Sequence, residues 1–184
     1  MYLKLATDIP DVKKRSQYLP PAKKIIDALL WEQDRHIYFG RAIALRANYE
    51  LLRGDVAKAQ ETINEYMPQL EAIHKSIVEF DPDGKHGLRK FSAMPLCRFM
   101  LAKMLWQESQ DEYKKPKRDD ERVKSLLFGA KAGNRRNGLG AYNHALNVFI
   151  QYPESTWAPD AGELESKIKE FAEKSYGAKI TSEV

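Results

Sequence analysis

The 184-residue sequence predicts an all-α protein, an array of six or seven antiparallel helices. Apolar residues recur at helical spacing almost throughout. Glycine- and proline-bearing turns fall where they would fold successive helices back on one another. No run of four residues with period two competes as a strand. With 43% hydrophobic residues, a chain of this length buries roughly 70% of its unfolded surface when compact and needs no disulfide or metal staple. Its single cysteine, Cys97, cannot make an internal bridge. One thiol suits a reducing cytosol and a disulfide-free periplasmic protein equally.

The first eight residues lack the basic start and apolar stretch of a secretory signal, so the expectation is a cytoplasmic protein, or a periplasmic one whose leader has been removed. No segment nears the eighteen or so apolar residues of a membrane span. Pro20-Pro21 ahead of Ile25, Ile26, Leu29 and Leu30 reads as a short helix begun by proline. Residues 37–52 follow, where Ala42, Ala44 and Ala47 allow a neighbouring helix to approach closely. Gly54 ends that helix and Asp55 caps the next, a tight helix-helix turn.

Val56, Ala59, Ile63, Tyr66, Leu70, Ile73, Ile77 and Phe80 then step by three and four in strict alternation, which predicts one long amphipathic helix over 55–80. Pro68 lies opposite the stripe, where a kink is tolerated; a break at 67–69 is the alternative. Asp81-Pro82-Asp83-Gly84 is a stop. A helix starting near Ser92 to Pro95 is apolar on nearly every face through Trp106 and should be the most buried. Residues 114–120 form a charged loop, and Val123, Leu126, Leu127 and Ala130 mark a short helix that stops at the loop Gly133 to Gly140. The last hairpin joins Tyr142, Ala145, Phe149 and Tyr152 to Ala161, Leu164, Ile168, Phe171 and Tyr176, with a turn at Pro153 to Trp157 and Ser155 or Thr156 as cap.

Two segments share a grammar. Gly54 and Gly140 are each followed five residues on by an alanine, Ala59 and Ala145, and four further on by a large apolar residue, Ile63 and Phe149. This pattern resembles the tetratricopeptide repeat family. The run from Phe149 to Ala161, with its Tyr-Pro-x-Ser connector, is similar to the variant found in bacterial cell-envelope assembly proteins. The resemblance implies a short right-handed superhelix of stacked helical hairpins that binds a peptide or partner protein in a groove and has no chemistry of its own. It implies a single repeat domain over 1–184: an N-terminal segment 1–35, a first hairpin 36–82, a second unit 92–152 carrying a basic insertion 108–139, a last hairpin and cap 140–176 and a tail 177–184. Taken from the family's phase, Arg41 and Asn48 project into the groove, with Arg98 and Lys103 as the matching positions on the next long helix.

Catalytic constellations are missing. Gly133 to Gly138 has phosphate-loop spacing, but Leu139 and Gly140 stand where Lys and Ser or Thr are needed, so it reads as a helix connector whose glycines supply positive φ. His36, His74, His86 and His144 are scattered without metal-ligand spacing. Cys97 reads as a buried structural thiol, and Asp119-Asp120-Glu121 as acids drawn to a helix start. The expectation is therefore no enzyme, cofactor or metal. Charge is uneven: residues 85–136 hold 14 Lys and Arg against 6 Asp and Glu. Within them Lys114, Lys115, Lys117, Arg118, Arg135 and Arg136 are candidate contacts for an anion or nucleic acid. Tyr113 alone makes no stacking platform beside them. Nucleic-acid binding through this segment and self-association along the 55–80 seam are the two alternatives to a protein-binding groove.

Overall fold

The computed structural model describes residues 8–9, 11–32, 37–129 and 138–177. Among them the protein is all-α, with nine helices and one 3-10 turn, and adjacent helices pack against each other. In order these are α1 (Val12–Arg15), α2 (Leu19–Glu32), α3 (Ile37–Leu52), α4 (Val56–Glu65), α5 (Met67–Phe80), the 3-10 turn Leu88–Phe91, α6 (Met94–Tyr113), α7 (Asp120–Phe128), α8 (Ala141–Gln151) and α9 (Ala158–Tyr176). The count exceeds the expected six or seven because α1 is a single turn capped by Asp11 and the 55–80 helix is two helices. Contacts gather the chain into two compact units, Met1–Cys97 and Arg98–Val184.

In the first unit α3 is the central helix, packed on α2 and α4 and touching α5. Its small residues explain this. Ala42, Ile43 and Ala47 are fully buried, and a Cβ on Gly40 would stand only 3.2 Å from that of Ala93. α3 ends as expected at Gly54, whose φ of +83° is open to glycine and strained for other residues. The Gly54 amide donates to Leu51 O at 2.9 Å and that of Asp55 to Glu50 O at 2.9 Å, the paired bonds that close a helix end on a left-handed residue. The Asp55 carboxylate then accepts from the Lys58 amide at 3.0 Å and starts α4.

The single 55–80 helix is corrected to a break at Tyr66, one residue before the anticipated alternative. Tyr66 sits at φ −94°, ψ 6° and serves as the end of α4 and the start of α5. Pro68 thereby falls in the first turn of α5, where a missing amide costs nothing. Because one residue makes the break, the apolar phase runs on: Ala59, Ile63, Leu70, Ile73 and Ile77 are all buried. The ends of the seam are not, with Val56 41% and Phe80 80% exposed. Beyond α5 the buried Asp81 carboxylate accepts from the amides of His86 and Leu88, each at 3.0 Å, and holds the turn the sequence marked as a stop.

α6 is buried through its first half, with Met94, Cys97, Leu101, Ala102 and Met104 at most 5% exposed. Gln107 and Asp111 of its polar second half are exposed and α3 is as closely buried, so the expectation that it is the most buried helix is not met. It starts at Met94, with Ser92 Oγ accepting from the Met94 amide at 3.3 Å. Burial pushes the Cys97 thiol up to about 12, which fits an inert structural cysteine.

The core of the second unit is built from Phe99 and Ala102 of α6, Val123 and Leu127 of α7, Ala145 and Val148 of α8 and Ala161, Leu164 and Ile168 of α9. Asp119 caps α7, its carboxylate accepting from the Glu121 amide at 3.1 Å and the Arg122 amide at 3.0 Å. Acids at this helix start have the structural role the sequence assigned them. In the connector before α9, Ser155 Oγ accepts from the Trp157 amide at 3.2 Å, so Ser155 shapes the turn while Trp157 takes the cap position without a side-chain bond. Gly140 differs from the expectation of positive φ: it opens α8 at φ −83°, ψ 177°. Its glycine is required for another reason, since a Cβ there would lie 2.4 Å from Leu127 C and O and from Gly129 N. Among the described residues of this connector Gly129 has a positive φ, +87°, while Ala130 and Gly133 lie outside the described residues.

Candidate partner-binding surfaces

Three helices of the first unit enclose an open cleft of about 510 Å³. α2 supplies Asp27, Leu30 and Trp31, the floor is Arg46 of α3, and α4 supplies Lys58, Glu61, Thr62 and Glu65. Tyr66, at the helix break, also lines the cleft; its ring meets Phe39 edge-on, 5.8 Å between centroids. Trp31 is 90% exposed. The reason lies in the phase of α2: Leu19, Ala22 and Ile26 form its buried stripe, and Trp31 falls five positions, about 140° around the helix, past Ile26. The indole thus offers its apolar faces and its N–H donor at the cleft edge.

The charges in the cleft differ in how they are used. Arg46 lies between Asp27 Oδ1 at 2.6 Å and the buried Glu50 carboxylate at 3.0 Å, and Glu50 also pairs with Arg53 at 3.2 Å. Asp27 is further bridged by Lys23. Two guanidinium groups around one buried carboxylate supply the charge balance that burial demands. Glu61 and Glu65, exposed one turn apart on α4, have no ion pair among the described residues, and neither has Lys58.

Arg41 and Asn48 stand seven positions apart on one face of α3, and neither lines this cleft. The Arg41 guanidinium covers the ring of Phe91, 5.3 Å from its centroid. In the second unit, Arg98 is half-buried beside His144, whereas Lys103 is exposed with its ammonium 5.6 Å from the centre of the Phe99 ring. Phe99 in turn stacks on Trp157 at 5.9 Å. Arg98 and Lys103 lie about 140° apart around α6, so they do not share a face. His144 itself is 6% exposed, and burial, with the charge of Arg98 added, holds its imidazole down to about 3.

Of the basic candidates, Arg135 and Arg136 lie outside the described residues. Lys115 pairs with Glu112 at 2.7 Å, and Arg118 pairs with Asp120 at 3.0 Å while lying 4.5 Å over the ring of Tyr113. Lys114 and Lys117 are exposed without an ion pair among the described residues. Tyr113 is not alone. Trp106, Phe171 and Tyr176 join it in one cluster, Tyr113 meeting Phe171 at 4.9 Å and Trp106 meeting Phe171 at 5.4 Å. Tyr176 donates to Asp120 at 3.0 Å, and burial together with that carboxylate pushes its phenol up to about 12. The sequence could not bring these rings together, because α9 supplies two of them from more than fifty positions away.

Among the described residues no group of three metal-ligating side chains converges, and no helix is long and apolar enough to cross a membrane. His74 Nδ1 lies 3.0 Å from Ser92 Oγ, and His36 lies outside the described residues. Compared with known proteins, the chain matches no family model, no curated protein and no solved structure.

Proposed function

We propose that the chain is a non-catalytic protein-interaction module, a divergent tetratricopeptide-like stack of helical hairpins that takes a segment of a partner protein against its first unit. The cleft between α2, α3 and α4, with Trp31 90% exposed at its edge, carries the reading. A volume of about 510 Å³ suits a few side chains of an extended peptide. The α3–α4 hairpin supports the repeat assignment, since Gly54 and the fully buried Ala59 perform the turn and the helix crossing that the resemblance implies. A bacterial cell-envelope assembly role is part of the same proposal and rests on the Phe149 to Ala161 connector.

Nucleic-acid binding is the second reading, favoured by the aromatic cluster around Tyr113 beside Lys114 and Lys117. Affinity capture from lysate with the wild-type chain and Trp31→Ala, at about 50 mM and about 300 mM salt, separates the two, because counterion release weakens phosphate contacts steeply. The expected result is a defined protein retained at the higher salt by wild type and lost by the variant. Nucleic acid captured only at the lower salt, and lost in Lys114→Ala/Lys117→Ala, would replace the first reading with the second.

A further inference from the structure

We infer that the α2–α3–α4 cleft is specific for a cationic side chain, an arginine or lysine on a partner's extended segment, held between the Trp31 indole and the carboxylates of Glu61 and Glu65; this rests on the reading of the cleft as the partner site. Three observations combine. Trp31 offers an uncovered indole, the aromatic surface on which cations bind best. No cation lies over this ring among the described residues, whereas Arg41, Lys103, Arg118 and Lys124 each lie over rings of their own chain, at Phe91, Phe99, Tyr113 and Tyr176.

The charges decide the sign of the occupant. The cleft is lined by three carboxylates and two cations. Arg46 is committed between Asp27 and Glu50, which leaves Glu61 and Glu65 against Lys58 alone. An acidic segment would have to approach these two carboxylates, and an apolar one would leave them facing low-dielectric surface. A guanidinium satisfies both, since its face lies on the indole while its edge donates to the carboxylates. The chain as a whole carries a formal charge of +4, so a basic peptide is repelled at long range and any binding must come from a local site.

Fluorescein-labelled hexa-arginine, with hexacitrulline as its uncharged counterpart, tests this by fluorescence anisotropy on the full chain. Wild type should bind hexa-arginine and not hexacitrulline. Glu61→Gln/Glu65→Gln should weaken binding about tenfold or more, and Trp31→Ala by about tenfold. The control Glu121→Gln/Glu163→Gln removes two exposed acids outside the cleft and should leave the affinity within about twofold. All these side chains are exposed, so matching circular dichroism spectra will exclude unfolding as the cause. Equal loss in the control, or no loss on removing Glu61 and Glu65, overturns the cation assignment. If hexa-arginine fails while partner capture still depends on Trp31, the cation inference falls and the cleft stands; if neither depends on Trp31, both fall.

Discussion

Gly54 closes α3 at φ +83° with open space where a Cβ would stand, whereas Gly140 opens α8 at φ −83° with the Leu127 carbonyl oxygen only 2.4 Å from that place. Both precede an alanine by five residues, and both alanines, Ala59 and Ala145, are fully buried. Around them the helices part company. Val56 is 41% exposed and Tyr142, at the same offset, is 5% exposed; Ile63 is fully buried and Phe149 is 49% exposed. Spacing thus locates a helix and a fully buried small residue on it, while the neighbours decide which flanking faces are covered. α8 packs against both α7 and α9, which buries the flank carrying Tyr142 and His144. α4 packs on α3, and its other flank opens to the cleft with Lys58 and Glu61.

The largest effect should come from Gly140→Ala. The atoms it meets are backbone of the α7 terminus, which cannot rotate away, so the variant should lose about 3 kcal/mol or more in urea unfolding. A loss under about 1 kcal/mol would mean that the two glycines are closer in role than their geometry states. Next comes the fourth residue after each alanine. Ile63→Ala opens a cavity in a fully buried site and should cost about 3 kcal/mol, whereas Phe149→Ala, half in water, should cost under about 1.5 kcal/mol. Equal losses would restore the symmetry that the spacing suggests. Gly162 bears directly on this, because a Cβ there would stand 2.9 Å from the Phe149 ring; the small residue leaves room for that ring against α9.

Position four after each glycine gives a pH-dependent contrast. Lys58 is exposed, while His144 is 6% exposed and neutral, its imidazole held down to about 3 by burial and Arg98. The unfolded chain takes up a proton near the ordinary histidine value of about 6.5, and the folded chain does not. Between these two values the unfolded state binds more protons, so stability falls as pH drops, by about 1.4 kcal/mol per pH unit for this group. Above about 6.5 it contributes no slope. His144→Asn should remove that part of the slope; an unchanged slope below pH 6 would show that the imidazole is accessible to protons in the folded state.

The helices from α2 to α9 were legible apart from the boundary within 55–80, most because they bury a stripe at helical period and α6 because its first half is apolar on nearly every face. The boundary at Tyr66 was half legible: Pro68 announced a fault, yet the seam hid it, since a single residue in the bridge conformation restores the phase. The cleft was not legible, for its walls come from three helices and Arg46 is paired with Asp27 nineteen positions away. Trp31 could have been found, as a large aromatic off the apolar stripe of α2. The basic segment shows the reverse case. Its charges were plain, and so were the local partners of two of them, Glu112 three positions from Lys115 and Asp120 two from Arg118, but the rings of Phe171 and Tyr176 that surround Tyr113 assemble only in the fold.

The smallest effect tests the hairpin reading most directly. Gly54→Ala meets no atom within 4 Å, so the only penalty is the left-handed backbone, about 1 kcal/mol. Asparagine tolerates that conformation better, and Gly54→Asn should recover about half the loss. The two bonds that close α3, from Gly54 to Leu51 and from Asp55 to Glu50, depend on this one φ, and Asp55 then starts α4. If Gly54→Ala left both stability and the amide protection of Gly54 and Asp55 unchanged, the turn would close without left-handed geometry. Gly54 would then be a glycine of convenience, unlike Gly140, whose place leaves no room for a Cβ, and the repeat assignment would lose its best-formed turn.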